Sequence, residues 1–158
     1  MWRAASHSVT QTQKLGRALA KHLRPGDILG FTGNLGAGKT TFIQGIAEGL
    51  GLPNTLRATS PTFTLVNEYP TIPRLFHYDF YRLNQADELW ETGYDDATRS
   101  EGIIVAEWFD RVAEAAEEAH LLIHIEGQGR DRTFTLEPHG DSWEHRFDSL
   151  ASFKRVNP

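Results

Sequence analysis

The sequence predicts an α/β layered fold with a largely parallel central sheet and a late antiparallel hairpin. Three observations carry this. Short apolar runs interleave with amphipathic helical stretches over most of the chain, the order that layered α/β folds produce. The run "DILGFT" (27–32) feeds a Gly-rich stretch that opens directly into a helical pattern. Late in the chain, "LLIHIEG" and "RTFTLEP" lie either side of Gln128 and Gly129, as the strands of a hairpin do. In such a sheet the ligand site belongs at the carboxyl ends of the strands.

The elements follow in order. Thr10 and Gln13 have capping-box spacing, and Leu15, Ala18, Leu19 and Leu23 then recur on one face until Pro25-Gly26 stops the pattern, which predicts an amphipathic helix. A short buried strand follows at 27–32, then a helix from Lys39 to about Leu50, closed by Gly49, Gly51 and Pro53. "PTFTLVNEY" (61–69) and "RLFHYDF" (74–80) read as strands, with Pro70 and Pro73 as breakers between them. "NQADELWET" predicts a short helix with Asn84 as N-cap and Gly93 beyond its end. "GIIVAEW" (102–108) is a further buried strand, and the Ala- and Glu-rich stretch from Asp110 to His120 is helical in composition. In the tail, Trp143, Phe147 and Leu150 share one helical face. There is no internal repeat, low-complexity segment or linker.

With 158 residues, the expectation is a single domain over 1–158, too short for a nucleotide domain plus a full catalytic domain. Any larger task then needs partners. A balance of 39% apolar and 23% charged residues is ordinary for a globular chain. The net charge of -5 argues against a nucleic-acid grip by the whole surface. The absence of cysteine excludes disulfides, thiolate metal sites and a cysteine nucleophile. The start "MWRAASHSVTQTQ" has no apolar core of signal-peptide length, and no apolar run is long enough to span a bilayer. The expected setting is cytoplasmic, without membrane contact.

The strongest chemical signal is "GNLGAGKTTF". Gly33, Gly38, Lys39 and Thr40 match G-x-x-x-x-G-K-[ST] without a gap, and Gly36 adds a third flexible position. From Gly33 through Asn34, Leu35, Gly36, Ala37 and Gly38, such a loop turns its backbone N–H groups onto phosphate oxygens, and the helix that follows adds its positive end. Lys39 is placed to reach the outer phosphates, the Thr40 hydroxyl to take a Mg²⁺ position, and Thr41 to meet an inner phosphate. The alternative is a Gly-rich turn that merely caps a helix.

A nucleotide hydrolase also needs acids at neighbouring strand ends. Asp79, ending "LFHYD", is the best placed for the metal, or is a plain strand-end aspartate. Glu107, ending "IIVAE", either orients water or metal or marks where its strand meets solvent. In "ATSPTF", Ser60 or Thr62 could sense a γ-phosphate as switch loops do, or could simply bond their own backbone. His77 reads as a core or strand histidine and Trp108 as packing. Arg130 and Arg132 flank a turn and read as solubilising residues, with partner or phosphate contact as the alternative, and the glutamates at 114, 117 and 118 read as a solvated face. The only D-x-x-G precedes the phosphate loop and N-K-x-D is missing, so ATP is a better fit than GTP.

"GNLGAGKTTFIQGIAEGLG", "SPTFTLVNEY", "HYDFYRL" and "VAEW", in that order and spacing, resemble the bacterial TsaE (YjeE) family of small ATPases. The resemblance runs from Thr10 to the "GRDRTFTL" hairpin. It implies a P-loop fold of three layers, Mg²⁺-dependent ATP hydrolysis, slow without partners, and a supporting role for TsaD and TsaB. Those two subunits form N6-threonylcarbamoyladenosine at position 37 of tRNAs reading codons that begin with A, so tRNA would be met only through that complex. It also implies that Lys39 and Thr40 contact phosphate and Mg²⁺, that Thr62 is the switch threonine, that Asp79 is the second metal-side acid, and that Glu107 acts near the γ-phosphate and metal. The chain departs from the family at Asn34, where members carry aspartate, and at Tyr78 and Phe80, where Phe and Leu are commoner. The rival readings are a small-molecule kinase on the same loop and a nucleotide-binding adaptor without catalysis.

Overall fold

The computed structural model describes residues 1–34, 36–53, 55–61, 65–83, 86–112, 120–140, 142–147 and 152–156. Its strands are β1 (Trp2–Ser6), β2 (Ile28–Thr32), β3 (Val66–Tyr69), β4 (Leu75–Asp79), β5 (Ile103–Glu107), β6 (Leu121–Gln128), β7 (Asp131–Pro138) and β8 (Lys154–Arg155). The helices are α1 (Val9–Ala20), α2 (Lys39–Gly49), α3 (Ala86–Trp90), α4 (Tyr94–Arg99) and α5 (Ser142–Phe147), with a 3₁₀ turn at Phe109–Arg111. None of the described helices is long and apolar enough to cross a membrane.

One eight-stranded sheet runs β3-β4-β5-β2-β6-β7-β1-β8. Its centre, β4-β5-β2-β6, is parallel. The late hairpin β6-β7 pairs antiparallel and continues into β1 and β8, while β3 closes the opposite edge antiparallel to β4. Parallel strands covered on both faces must be apolar at successive positions, and β5 is buried at every residue. Alternate side chains go to opposite layers. Leu29, Phe31, Ile103 and Val105 pack with Leu15, Leu19, Phe42 and Ile46 of α1 and α2. Ile28, Ile104 and Ala106 pack with Phe80, Leu89, Tyr94 and Phe109 on the other side. The result is three layers with the carboxyl ends of β2, β4 and β5 opening at one edge.

The helix layer is fixed by unusually close contact between α1 and α2. A Cβ on Gly16 would run into the carbonyl of Phe42, and one on Gly45 into the carbonyl of Gln13. Two backbones at this separation leave no room for a side chain, so the start of α2, where the phosphate motif lies, is held by α1.

Several sequence expectations change. The N-terminal cap of α1 is Ser8, whose side chain accepts from Gln11 N at 3.1 Å, and the Gln11 side chain accepts from His7 N at 2.7 Å. The spacing read at Thr10 and Gln13 also exists two residues earlier, and the earlier pair is the one that caps. Of the strand expected over 61–69, residues 62–64 lie outside the described residues; β3 begins at Val66, after Leu65 adopts a left-handed conformation (φ 63°). Gly93 does more than follow α3, since it caps the N-terminus of α4, which was not foreseen. After β5 the chain forms the 3₁₀ turn; residues 113–119 of the helical stretch expected from Asp110 to His120 lie outside the described residues, as do Asn84 and Leu150. Trp143 is buried beside Phe153 in the α1–α2 core.

Replacing Gly45 by Ala adds a methyl where only backbone fits, and overpacking of this kind typically costs about 1–3 kcal/mol. Urea denaturation of Gly45→Ala is expected to show that loss despite the better helix propensity of Ala; unchanged stability would mean that the helices are not held this closely.

Candidate functional site

The site begins where β2 ends. Gly33 (φ 139°), Gly36 (φ 79°) and Gly38 (φ 104°) all adopt backbone conformations that favour glycine, and these turn the chain back into α2. Gly38 caps α2 without any side-chain hydrogen bond, which leaves the first N–H groups of the helix open to an anion. Lys39 is buried. Its Nζ donates to the carbonyl of Gly33 at 2.6 Å and of Asn34 at 3.0 Å, and lies 4.0 Å from the centroid of the Trp108 ring. Burial lowers the Lys39 pKa, while the Glu107, Asp79 and Asp110 carboxylates push it upward. The ammonium is therefore seated on the loop carbonyls and faces acids across the cleft.

Glu107 is the centre of the polar network. It is 3% exposed, and its Oε2 lies 2.6 Å from His77 Nε2 and accepts from Ser60 Oγ at 2.8 Å, while Oε1 accepts from Thr40 Oγ1 at 3.0 Å. Burial raises its pKa, but the bonds and charge of His77, with Ser60 and Thr40, outweigh it and hold the carboxyl below its usual range. Thr40 Oγ1 and Ser60 Oγ are also 2.6 Å apart. Two hydroxyl protons thus serve three close oxygen contacts, and lone pairs crowd together.

Asp79 stands beside this group because β4 and β5 are in register, with Asp79 opposite Glu107. Its Oδ1 accepts from Tyr81 N at 2.9 Å. Its pKa is raised, first by burial and then by the Glu107 charge, against the Tyr81 hydrogen bond and the pull of His77 and Lys39. Two acids at adjacent strand ends, with the Thr40 and Ser60 hydroxyls, form an oxygen-only donor set that suits a hard divalent cation. These residues line a cleft of about 460 Å³ together with Gly36, Lys39, Thr41 and Trp108.

Of the residues singled out in the sequence, Gly36, Ala37, Gly38, Lys39, Thr40, Thr41, Asp79 and Glu107 all line this one cleft. Gly33 and Asn34 meet it through their carbonyls on Lys39, and Asn34 is itself exposed. Leu35 and Thr62 lie outside the described residues.

Two residues differ from their sequence expectation, and a third, His77, meets its expectation and adds a polar contact. Trp108, expected as packing, takes a left-handed backbone (φ 56°) that puts its ring on Lys39. Arg132, expected as a solubilising residue, donates to the carbonyls of Gly129 at 2.7 Å and Gly36 at 3.3 Å and so ties the hairpin to the phosphate loop. A second cleft of about 460 Å³, between the start of α1 and the hairpin turn, shares Gly36, Gly38 and Thr41 with the first. His77, expected as a core histidine, is fully buried but bonded to Glu107. The available signal was parity: His77 shares a strand face with Leu75 and Asp79, so a polar ring there had to find a partner near an acid.

Comparison with known proteins agrees with this geometry. Residues 6–134 match the family model described as threonylcarbamoyl adenosine biosynthesis protein TsaE. A tRNA threonylcarbamoyladenosine biosynthesis protein TsaE from Bacillus subtilis (strain 168) is 34% identical over 158 residues, covering 99% of this chain and 96% of the relative. One from Streptomyces coelicolor is 38% identical over 139 residues, covering 83% and 93%. The crystal structure of Bacillus subtilis YdiB superposes with a TM-score of 0.75 at 29% identity, covering 96% of this chain and 95% of that one. The glycine loop between strand and helix, the acids at the ends of β4 and β5, and these likenesses converge: the chain belongs to the TsaE family, P-loop ATPases that support the TsaD–TsaB complex in forming tRNA threonylcarbamoyladenosine.

Proposed function

We propose that the whole chain acts as one Mg²⁺-dependent ATPase domain whose cleft beside Lys39 is the catalytic site, and that it serves a TsaD–TsaB complex, meeting tRNA only through that complex. The observation that carries the reading is the convergence of Thr40, Ser60, Asp79 and Glu107 oxygens at the mouth of the glycine loop. Thr40, Asp79 and Glu107 would hold Mg²⁺, which when bound neutralises charge on the outer phosphates.

The protein's own part starts with Lys39. It exchanges the carbonyls of Gly33 and Asn34 for β- and γ-phosphate oxygens, while the N–H groups from Gly36 to Thr40 close round the phosphates. The Thr41 hydroxyl takes an inner phosphate, and the second cleft gives the nucleoside room. Glu107, kept as a carboxylate by its three donors, is suited to orient or polarise the attacking water. Thr62, in the segment that follows Ser60, is the switch residue of this scheme. Hydrolysis in this scheme is slow in the free protein, which offers no obvious arginine finger: among the described residues, Arg82 is the one arginine lining the cleft. A partner that contacts the segment around Ser60 and Thr62 would raise the rate.

Lys39→Ala is expected to abolish both nucleotide binding, read by a fluorescent ATP analogue, and release of free phosphate; a variant that still hydrolyses ATP at the native rate would remove this site. Free phosphate, and not a phosphorylated small molecule, is the product that separates this reading from a kinase.

Asp79→Asn is expected to raise thermal stability in metal-free buffer at pH 7 while lowering hydrolysis at least tenfold. Burial raises the Asp79 pKa above its ordinary value of 3.8, so folding favours the protonated acid and the cost of its charge is fully present above the folded-state pKa. That cost, and with it the stability gained by the substitution, disappears as pH falls below 3.8. Melting curves across this range check the sign; a destabilised variant at pH 7 would contradict it.

A further inference from the structure

We infer that His77 is a positioning residue that holds Glu107 in its working orientation through the hydrogen bond from Nε2 to Oε2. The inference rests on Glu107 acting in hydrolysis as proposed above.

Among the described residues Glu107 has three donors, and they differ in what else is asked of them. The Thr40 hydroxyl belongs to the glycine-loop helix and is turned toward the cleft, where a nucleotide and cation would compete for it. Ser60 is carried by the connection after α2, outside any helix or strand, and it also lines the cleft. His77 alone stands on a sheet strand, with β4 paired to β5 on one side and β3 on the other. It is fully buried, so neither water nor ligand reaches it. When the two hydroxyls turn to nucleotide, the bond from His77 is the one that remains to fix the carboxylate.

The ring's own bonding points the same way. Nε2 sits 2.6 Å from Glu107 Oε2, and Nδ1 is buried with no hydrogen-bond partner among the described residues. With the carboxylate ionised, Nε2 carries the proton and donates it. A buried nitrogen left without a partner costs stability, so an apolar residue would fill this core position at less expense if packing were its only task. The bond to Glu107 is what the histidine adds. Its direction also matters: one oxygen of Glu107 is held by His77 and Ser60, which leaves Oε1 on the Thr40 side.

Loss of a partner that orients a catalytic or metal-holding group typically costs about 10–100-fold. The test compares His77→Gln, which keeps an N–H donor at similar reach, with His77→Leu, which keeps volume but not the donor. Expected for His77→Leu is a fall of that size in the rate of phosphate release with affinity for a non-hydrolysable ATP analogue within threefold of native, and for His77→Gln a rate recovered to within about fivefold. Imidazole NMR of the metal-free protein should show a protonated, slowly exchanging Nε2 that is lost in Glu107→Ala. Native turnover by His77→Leu overturns the inference, as does equal damage to rate and affinity in both variants, the sign of a packing role. Glu107→Gln with native hydrolysis would instead fail the underlying assignment of Glu107, so the two failures can be told apart.

Discussion

A buried carboxylate at the end of a central strand must find donors or give up its charge, and the arrangement of the cleft follows from how Glu107 meets that requirement. It is reached by α2 through Thr40, by the segment after α2 through Ser60, and by β4 through His77. Three parts of the chain, far apart in sequence, are thereby joined at one point. The register of β4 on β5 then fixes Asp79 next to it. Burial, and after it the charge of Glu107, raises the pKa of Asp79, and two acids side by side favour a cation between or beside them. The packing serves this geometry: the glycines that let α1 and α2 touch backbone to backbone hold the first turn of α2, and with it Lys39 and Thr40, against the strand ends.

The phosphate loop already satisfies its lysine. Lys39 satisfies its charge on two loop carbonyls and on the face of Trp108, contacts that phosphate would replace with stronger charge-assisted bonds. Arg132 braces the loop from the outside through the carbonyl of Gly36. In the proposed function, nucleotide binding is an exchange of these partners of Lys39 for phosphate.

Much of this was legible in the chain itself. The phosphate loop shows because its chemistry needs glycine, lysine and threonine at set spacings. The central strands show because burial on both faces demands apolar runs such as "IIVAE". What was hidden depends on contacts remote in sequence. β1 carries Trp2, Ala4 and Ser6 on its inner face, a period-2 pattern too small-sided to stand out until it pairs with β7. The capping of α1 was misplaced because Ser8/Gln11 and Thr10/Gln13 have the same spacing, and only backbone geometry chooses between them. His77 looked like core because its position is core; its partner lies thirty residues on in β5, beyond the reach of any local pattern. The contacts of Trp108 and Arg132 with the loop are hidden for the same reason, since each reaches it from another part of the chain.

The claim at the centre of this account is that the Glu107 cleft hydrolyses ATP in the service of a partner complex. Its most direct test is the steady-state release of phosphate from ATP by the full chain, measured alone, with TsaD–TsaB, and with TsaD–TsaB plus tRNA. The expected result is slow turnover alone and at least a tenfold rise when the complex is present. Fast turnover alone that is indifferent to the complex, or nucleotide binding without phosphate release under any of the three conditions, would contradict it.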